Sequence, residues 1–272
     1  MVMRFYSIGI YLFLYVPIGI IVLFSFNSGR HASDFQGFSV EWYGKALSNV
    51  FVIESLTTSL IIALSAATLS SLMGTAAALA LQQVHGRLRA LFDSLIYVSI
   101  IIPGIVIGIA TLVALVTVFD LLNPILGALW PEGVKPPKLS LGLASVIAAH
   151  TLFTMSLVIV LVRARIAGMD RALIEASQDL YASPWRTFMQ ITLPQLLPAI
   201  LAGFLLSFTF SFDDFIISFF VAGPNTTLPI YVFSSIRRGI TPEVNAIGTM
   251  VLGVSLTLLI LAQYLLQRRK QR

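Results

Sequence analysis

The chain has 272 residues, of which 57% are hydrophobic, 11% are charged and none is cysteine. Soluble domains carry about 25% charged residues, so this composition, with a mean hydropathy of +0.92, excludes a soluble protein and places the chain in a lipid bilayer. The lack of cysteine excludes disulfides, thiolate catalysis and cysteine-ligated metals, and the net charge of +5 is a signal of membrane topology rather than of nucleic-acid binding.

Six apolar stretches are long enough to cross a bilayer, because a hydrocarbon core about 30 Å thick needs about 20 residues of helix. The stretches lack the alternation of a membrane barrel, and only helices satisfy their own backbone groups in lipid. We therefore predict an all-α polytopic membrane protein whose residues 1–272 form a single transmembrane domain. The predicted spans are 5–26, 55–81, 94–119, 139–162, 197–221 and 246–266.

Lysine and arginine are divided unevenly between the two sides of this arrangement. With the N-terminus inside, eleven of the 17 basic residues lie in cytoplasmic segments and six lie outside, which is the bias that orients membrane proteins. Both termini are therefore predicted to face the cytoplasm. The basic tail 268–272 is predicted to lie against anionic lipid, and the first span, which no cleavage site follows, is predicted to be retained.

The third predicted span contains Pro103-Gly104 and Gly108. These residues permit either a broken helix that lines a transport path or simple close packing of helices, and Pro103 is a candidate for the path on the first interpretation. Further along, Asn123-Pro124 and Trp130-Pro131 are predicted to end the span and begin an outer loop.

A charged segment with helical signals, 163–196, separates spans four and five. Asp170 is suited to cap one short helix that runs to Leu180, and Ser183-Pro184 to begin a second. Pro194 and Pro198 are predicted to bound the start of the fifth span. The segment is either an amphipathic hairpin at the membrane interface or a surface presented to another protein.

Asp213 and Asp214 lie well inside the fifth predicted span, where an ionised aspartate costs about 2.5–3.5 kcal/mol. On one continuous helix, Ser207, Ser211, Asp214 and Ser218 would form a single polar stripe. We therefore predict that Asp214 lines an aqueous path and that Asp213 pairs with a neighbouring helix. The carboxylates either attract a cationic solute or hold the bundle together through hydrogen bonds.

The remaining residue patterns do not indicate an enzyme. His150 in the fourth span is predicted to form a helix–helix hydrogen bond, and no second His or Cys stands at metal-ligand spacing, so no metal site is expected. The one Gly-Lys pair, Gly44-Lys45, is followed by Ala46 and lacks the earlier glycine of a phosphate-binding loop. No cofactor is expected in this chain, and the chain itself is not expected to bind ATP.

Segment 163–196 contains Glu175-Ala176-Ser177 and Leu180, followed at a fixed distance by Ile191-Thr192-Leu193-Pro194. This pattern resembles the EAA loop of ABC importer permeases, the cytoplasmic coupling helix that docks in a groove of the ATP-hydrolysing subunit. The resemblance implies that the residues coupling transport to ATP hydrolysis are Glu175, Ala176, Ser177, Asp179, Leu180, Tyr181 and Ala182.

Further segments narrow the resemblance to the spermidine/putrescine branch: 24–28, 42–43, 150–153, 207–214, 221–224 and 241–246. Within that branch the chain is most similar to the C-type permease subunit, which pairs with a homologous B-type permease. The resemblance implies an inner-membrane importer of two permeases, two ATPases and an extracytoplasmic binding protein that carries polyamines inward. The substrate-pathway candidates are Asp214, Asp213, Ser211, Ser207 and Pro103.

Two other functions are open. The chain could be an ABC permease for another small solute, such as a different organic cation, an amino-acid derivative or a metal chelate, or an ATP-independent secondary carrier. Two residues also depart from the family pattern. Tyr181 stands where the family usually has glycine, and Gly104 stands where polyamine permeases often have an acidic residue.

Overall fold

The computed structural model describes residues 2–31, 34–131, 133–170, 172–239 and 241–270, with side chains from residue 3 to residue 257. In this part of the chain the only strand-type pairing is an isolated bridge between Asn27 and Phe38, so the all-α prediction is confirmed. The helices are α1 (Val2–Ser25), α2 (Glu41–Ser48), α3 (Val50–Ala80), α4 (Gly86–Ile101), α5 (Gly104–Leu129), α6 (Leu143–Ala167), α7 (Ala172–Asp179), α8 (Pro184–Thr187), a π-helical turn (Phe188–Thr192), α9 (Leu193–Asp213), α10 (Ile216–Val221), α11 (Leu228–Arg238) and α12 (Pro242–Lys270).

Among the described residues, five helical segments are long and apolar enough to cross a membrane. The sixth predicted span, 246–266, lies in α12; the side chains from residue 258 onward, including those of the basic tail 268–272, are outside the described part. The count of six spans therefore stays a prediction. The five segments are Met3–Ser25, Val50–Ala80, Gly104–Leu129, Leu143–Ala167 and Pro184–Asp213.

The chain folds as two compact units, Met1–Glu54 with Tyr231–Arg272, and Ser55–Ile230. In the first unit, α1 and α2 pack against α12. The Asn49 side-chain amide donates to the Tyr231 hydroxyl at 3.1 Å and to the Glu243 carboxylate at 2.8 Å. These bonds fix the start of α3 to the starts of α11 and α12.

The second unit is organised around α6, which packs against α4, α9 and α10. Small residues allow the close approach, because Gly74 and Gly203 both face Val158: a Cβ atom at Gly74 would lie 2.9 Å from the Val158 Cβ, and one at Gly203 would lie 3.3 Å from its Cγ1. Small residues at such contacts are typical of helix packing in lipid. Val158 is fully buried in a cluster with Ile159 and Leu196.

The third predicted span is broken in the structure. α4 ends at Ile101, Ile102 and Pro103 are extended with ψ near 135°, and α5 begins at Gly104. Pro103 causes the break, because it cannot donate a backbone hydrogen bond and disfavours helical geometry at the residue before it. The long apolar helix therefore covers Gly104–Leu129 instead of 94–119.

The prediction that Asn123-Pro124 ends the third span is wrong, because Pro124 lies inside α5. One proline removes a single helical hydrogen bond, whereas ending the helix in lipid would leave several groups unpaired. Asn123 instead fixes the connection to the next span. Its side-chain amide donates to the Leu139 carbonyl at 3.0 Å, and its carbonyl accepts from the Leu139 N–H at 2.7 Å.

The prediction that Pro194 and Pro198 bound the start of the fifth span is also wrong. The helical path is continuous from Pro184 to Asp213, with both prolines inside it. The π-helical turn at Phe188–Thr192 comes directly before Pro194. Its wider turn makes room for a ring that would otherwise clash with the carbonyl four residues earlier.

Candidate functional site

Residues 170–187, which we term the elbow, contain two short helices where the capping signals predict them. The Asp170 carboxylate accepts a hydrogen bond from the Ala172 N–H at 2.9 Å, at the start of α7. Ser183 caps α8 by accepting from the Arg186 N–H at 3.4 Å, with Pro184 in the first helical turn. Each of the two short helices thus begins at a side chain that satisfies a free backbone donor.

The turn between α7 and α8 depends on Tyr181, which has a φ of 56°. The Ala182 N–H donates to the Ser177 carbonyl at 3.1 Å, and the Tyr181 N–H donates to the Gln178 carbonyl at 2.9 Å. These are the two bonds of a Schellman motif, which normally places glycine at the left-handed position. The geometry that the family's glycine would supply is therefore present, with the strain of a non-glycine residue.

Most of the predicted coupling residues lie on the surface of the elbow. Tyr181 is 97% exposed, and Leu180 and Trp185 are also largely exposed, so the elbow presents several large apolar side chains on its surface. Ser177 is the buried member of the set, and its hydroxyl lies 2.8 Å from that of Thr187. Glu175, Ala176 and Asp179 are exposed, and Ala182 is half-buried.

The prediction of one continuous polar stripe in the fifth span is wrong, because α9 ends at Asp213. Asp214 is extended, with a ψ of 119°, and α10 begins only at Ile216. Neither proline nor glycine stands at this second break. The Asp214 carboxylate accepts from the Ser218 N–H of α10 at 2.9 Å, which replaces one of the helical bonds that the break removes.

A buried polar network surrounds the second break. His150 of α6 is 1% exposed; its Nδ1 lies 2.7 Å from the Ser211 hydroxyl, and its Nε2 lies 3.2 Å from both the Asp214 Oδ2 and the Ser218 hydroxyl. The predicted helix–helix hydrogen bond of His150 is present. Its connection to Asp214 was not predictable from the sequence, because the two residues are 64 positions apart and share no local pattern.

The two breaks meet at one cavity of about 670 Å³. Asp213 and Asp214 both line it, as do Ile102 and Gly104 on either side of Pro103. Its apolar wall includes Phe153, Phe210 and Phe215, with the rings of Phe153 and Phe210 in edge-to-face contact at 5.8 Å. The cavity therefore combines two carboxylates with an aromatic surface.

The predicted roles of the two aspartates are partly exchanged in the structure. Asp213 is exposed and no hydrogen bond or ion pair from the described residues reaches its carboxylate, whereas Asp214 is the one held by a neighbouring helix. Ser207 and Ser211 are buried and do not line the cavity. The described residues contain no group of three or more side chains able to hold a metal ion.

Broken helices around a cavity lined by carboxylates are typical of transport proteins. A family model described as "binding-protein-dependent transport system inner membrane component" matches residues 70–272. The chain belongs to this family, and it is a multi-pass inner-membrane protein and a transport component rather than an enzyme.

Two transport proteins of known name are similar in sequence to this chain over nearly its whole length. It is 37% identical to the putrescine transport system permease protein PotI of Escherichia coli K12 over 96% of its own length and 89% of that protein. It is 34% identical to the spermidine/putrescine transport system permease protein PotC of the same strain, over 94% of the chain and 90% of PotC.

A solved structure shares the fold. A chain of a bacterial ABC transporter involved in the import of the acidic polysaccharide alginate matches with a TM-score of 0.76, at 17% identity, over 98% of this chain and 94% of that one. At this identity the likeness concerns the fold alone.

Proposed function

We propose that this chain is one permease subunit of an ATP-driven ABC importer that carries polyamines, such as putrescine and spermidine, into the cytoplasm. The observation that carries the proposal is the similarity to PotI and PotC along almost the entire chain. The chemistry of the cavity supports the same proposal independently of the similarity to PotI and PotC.

A polyamine is a flexible chain of methylene groups between ammonium groups. Ammonium groups are attracted by carboxylates, of which the cavity offers Asp213 and Asp214, and they are also attracted by aromatic faces. The methylene segments can pack on Phe153, Phe210 and Phe215. An anionic or wholly apolar solute would leave the two carboxylates uncompensated.

Energy must come from a partner, since the chain has no phosphate-binding loop. We place two ATPase subunits at the cytoplasmic side, each contacting the elbow of a permease, with a second homologous permease completing the path. An extracytoplasmic binding protein delivers the solute. Both chain termini face the cytoplasm, lipid surrounds the spans, and no nucleic acid takes part.

One continuous helical segment connects the elbow to the cavity. The helical path Pro184–Asp213 has 30 residues, or about 45 Å at 1.5 Å per residue, and it joins α8 of the elbow to the cavity carboxylates. α6, by contrast, ends at Ala167, and the non-helical residues 168–170 follow it before α7. A displacement of the elbow would therefore move α9 and change access to the cavity, as alternating access requires.

Uptake by the reconstituted complex tests this function. The permease is purified with the subunits that assemble with it, placed in vesicles with the binding protein outside, and supplied internally with ATP or a non-hydrolysable analogue. We expect labelled putrescine or spermidine to accumulate only with ATP, and an uncharged diol of similar length to be excluded. Accumulation without ATP would favour a secondary carrier, and transport of an unrelated solute alone would overturn the polyamine assignment.

A further inference from the structure

We propose that His150 is a positioning residue for solute binding: it holds one oxygen of Asp214 so that the other stays available to a cation in the cavity. The inference rests on the proposed function in that it takes the cavity to be the site of a cationic solute. It adds a residue that does not itself line the cavity and whose effect passes through Asp214.

The protonation of the His150 ring follows from its neighbours. An ionised carboxylate can only accept a hydrogen bond, so Nε2 is the donor in its 3.2 Å bond to the Asp214 Oδ2; the Ser218 hydroxyl, also 3.2 Å from Nε2, then accepts from the same N–H. The Ser211 hydroxyl, 2.7 Å from Nδ1, can donate or accept and therefore satisfies that nitrogen in either state. Both ring nitrogens are thus engaged, and the 1% exposed ring has a fixed orientation.

The hydrogen bonds of Asp214 are concentrated on a single oxygen. Oδ2 accepts from the Ser218 N–H at 2.9 Å and from His150 at 3.2 Å, whereas no donor from the described residues reaches Oδ1. The side chain is 16% exposed and lines the cavity. Oδ1 is therefore the oxygen left to meet an ammonium group.

This fixation has a consequence for binding. Asp214 occupies the backbone break between α9 and α10, so its backbone belongs to neither helix. A carboxylate already held in place loses less freedom when a solute binds, which increases affinity. Asp213 is exposed and has no such partner among the residues that the structure describes, so it lacks this preorganisation and the two adjacent carboxylates differ in function.

The test uses uptake kinetics of the complete reconstituted importer with putrescine. His150→Leu removes the donor to Asp214, and we expect it to raise the KM about tenfold while the maximal rate per folded complex stays within about twofold, as for a loss of solute binding. His150→Gln can still donate at the position of Nε2 and is expected to restore the KM to within about threefold of wild type.

A double-mutant cycle separates positioning from a structural role. Because His150 acts through Asp214, His150→Leu should raise the KM no further when Asp214→Asn is already present. A purely structural residue would instead lower the amount of folded complex, with additive effects and an unchanged KM. Should His150→Leu fail to fold, Ser211→Ala provides the same readout. It removes the bond that orients the His150 ring but leaves His150 and Asp214 in place, and we expect the KM to rise about threefold.

The same variants distinguish a failure of the cation site from a failure of the positioning role of His150. An unchanged KM in Asp214→Asn would overturn the cation site itself and with it the solute path of the proposed function. A raised KM in Asp214→Asn, together with unchanged KM values in His150→Leu and Ser211→Ala, would overturn the positioning role alone.

Discussion

The hydroxyl oxygens of Ser177 in α7 and Thr187 in α8 lie 2.8 Å apart, in a buried hydrogen bond that joins the two helices of the elbow. Both residues are less than one-tenth exposed. The bond fixes the distance between α7, which ends in the Schellman turn, and α8, which continues through the π-helical turn into α9. The elbow can therefore move as one body when a partner displaces it.

Removing one of these hydroxyls should loosen the elbow more than removing both. Ser177→Ala leaves Thr187 buried without its partner, at a cost of about 1–3 kcal/mol, whereas Ser177→Ala with Thr187→Val leaves no unpaired group. The measurement is hydrogen exchange of the Ala182 N–H, which bonds to the Ser177 carbonyl. Faster exchange in the double variant than in the single variant would contradict this explanation.

Tyr181→Gly should stabilise the elbow. A left-handed conformation costs a non-glycine residue about 1–2 kcal/mol, so exchange of the Ala182 N–H should slow about tenfold in the glycine variant. Asn tolerates this conformation and should lie between, whereas Tyr181→Val should exchange fastest because its side chain is branched. If the Ala182 N–H exchanged faster in Tyr181→Gly than in wild type, the φ of 56° at Tyr181 would not destabilise the elbow, and the prediction would be wrong.

Gly104→Asp should add a third carboxylate to the cavity without a steric clash. A Cβ atom there would meet only the Ile216 Cδ1, at 3.9 Å. We expect the KM for spermidine to fall relative to that for putrescine, because spermidine carries more positive charge. Gly104→Asn is the matched control of equal size, and it should leave the ratio of the two KM values unchanged. An equal effect of both variants would exclude a charge effect.

Gly223→Ala should destabilise the second compact unit. Gly223 has a φ of 56°, and a Cβ atom there would lie 2.5 Å from the Leu141 carbonyl oxygen. Conformation and clash together should cost about 3 kcal/mol or more, measured as a lower midpoint of thermal unfolding. Gly127→Ala is the control: nothing lies within 4 Å of its Cβ position in α5, so its midpoint should be unchanged or higher. Equal midpoints for the two variants would contradict the predicted clash.

Local signals in the sequence predicted local structure well. The caps at Asp170 and Ser183 act on the first turn of their own helices, so residue type and spacing suffice to place them. The break at Pro103 was one of two interpretations, and it occurs because proline acts on its immediate neighbours.

Features that depend on neighbouring helices or on lipid were not predictable. Pro124, Pro194 and Pro198 are inside helices, because lipid penalises unpaired backbone groups more strongly than it penalises one missing bond. The break at Asp214 has no breaker residue, and the bonds that stabilise it come from His150 on another helix and from Ser218 beyond the break. Such tertiary bonds leave no periodic pattern in the sequence.

Crosslinking from the elbow tests most directly whether an ATPase subunit binds this permease at the elbow. The chain has no cysteine, so a single Leu180→Cys variant gives one reactive site on an exposed position. In the complete complex we expect it to crosslink to the ATP-hydrolysing subunit, with a yield that changes between the ATP-bound and nucleotide-free states. Val134→Cys, which is also exposed and predicted to lie outside, should give no such product. Capture of the ATPase from Val134 and never from Leu180 would contradict the account.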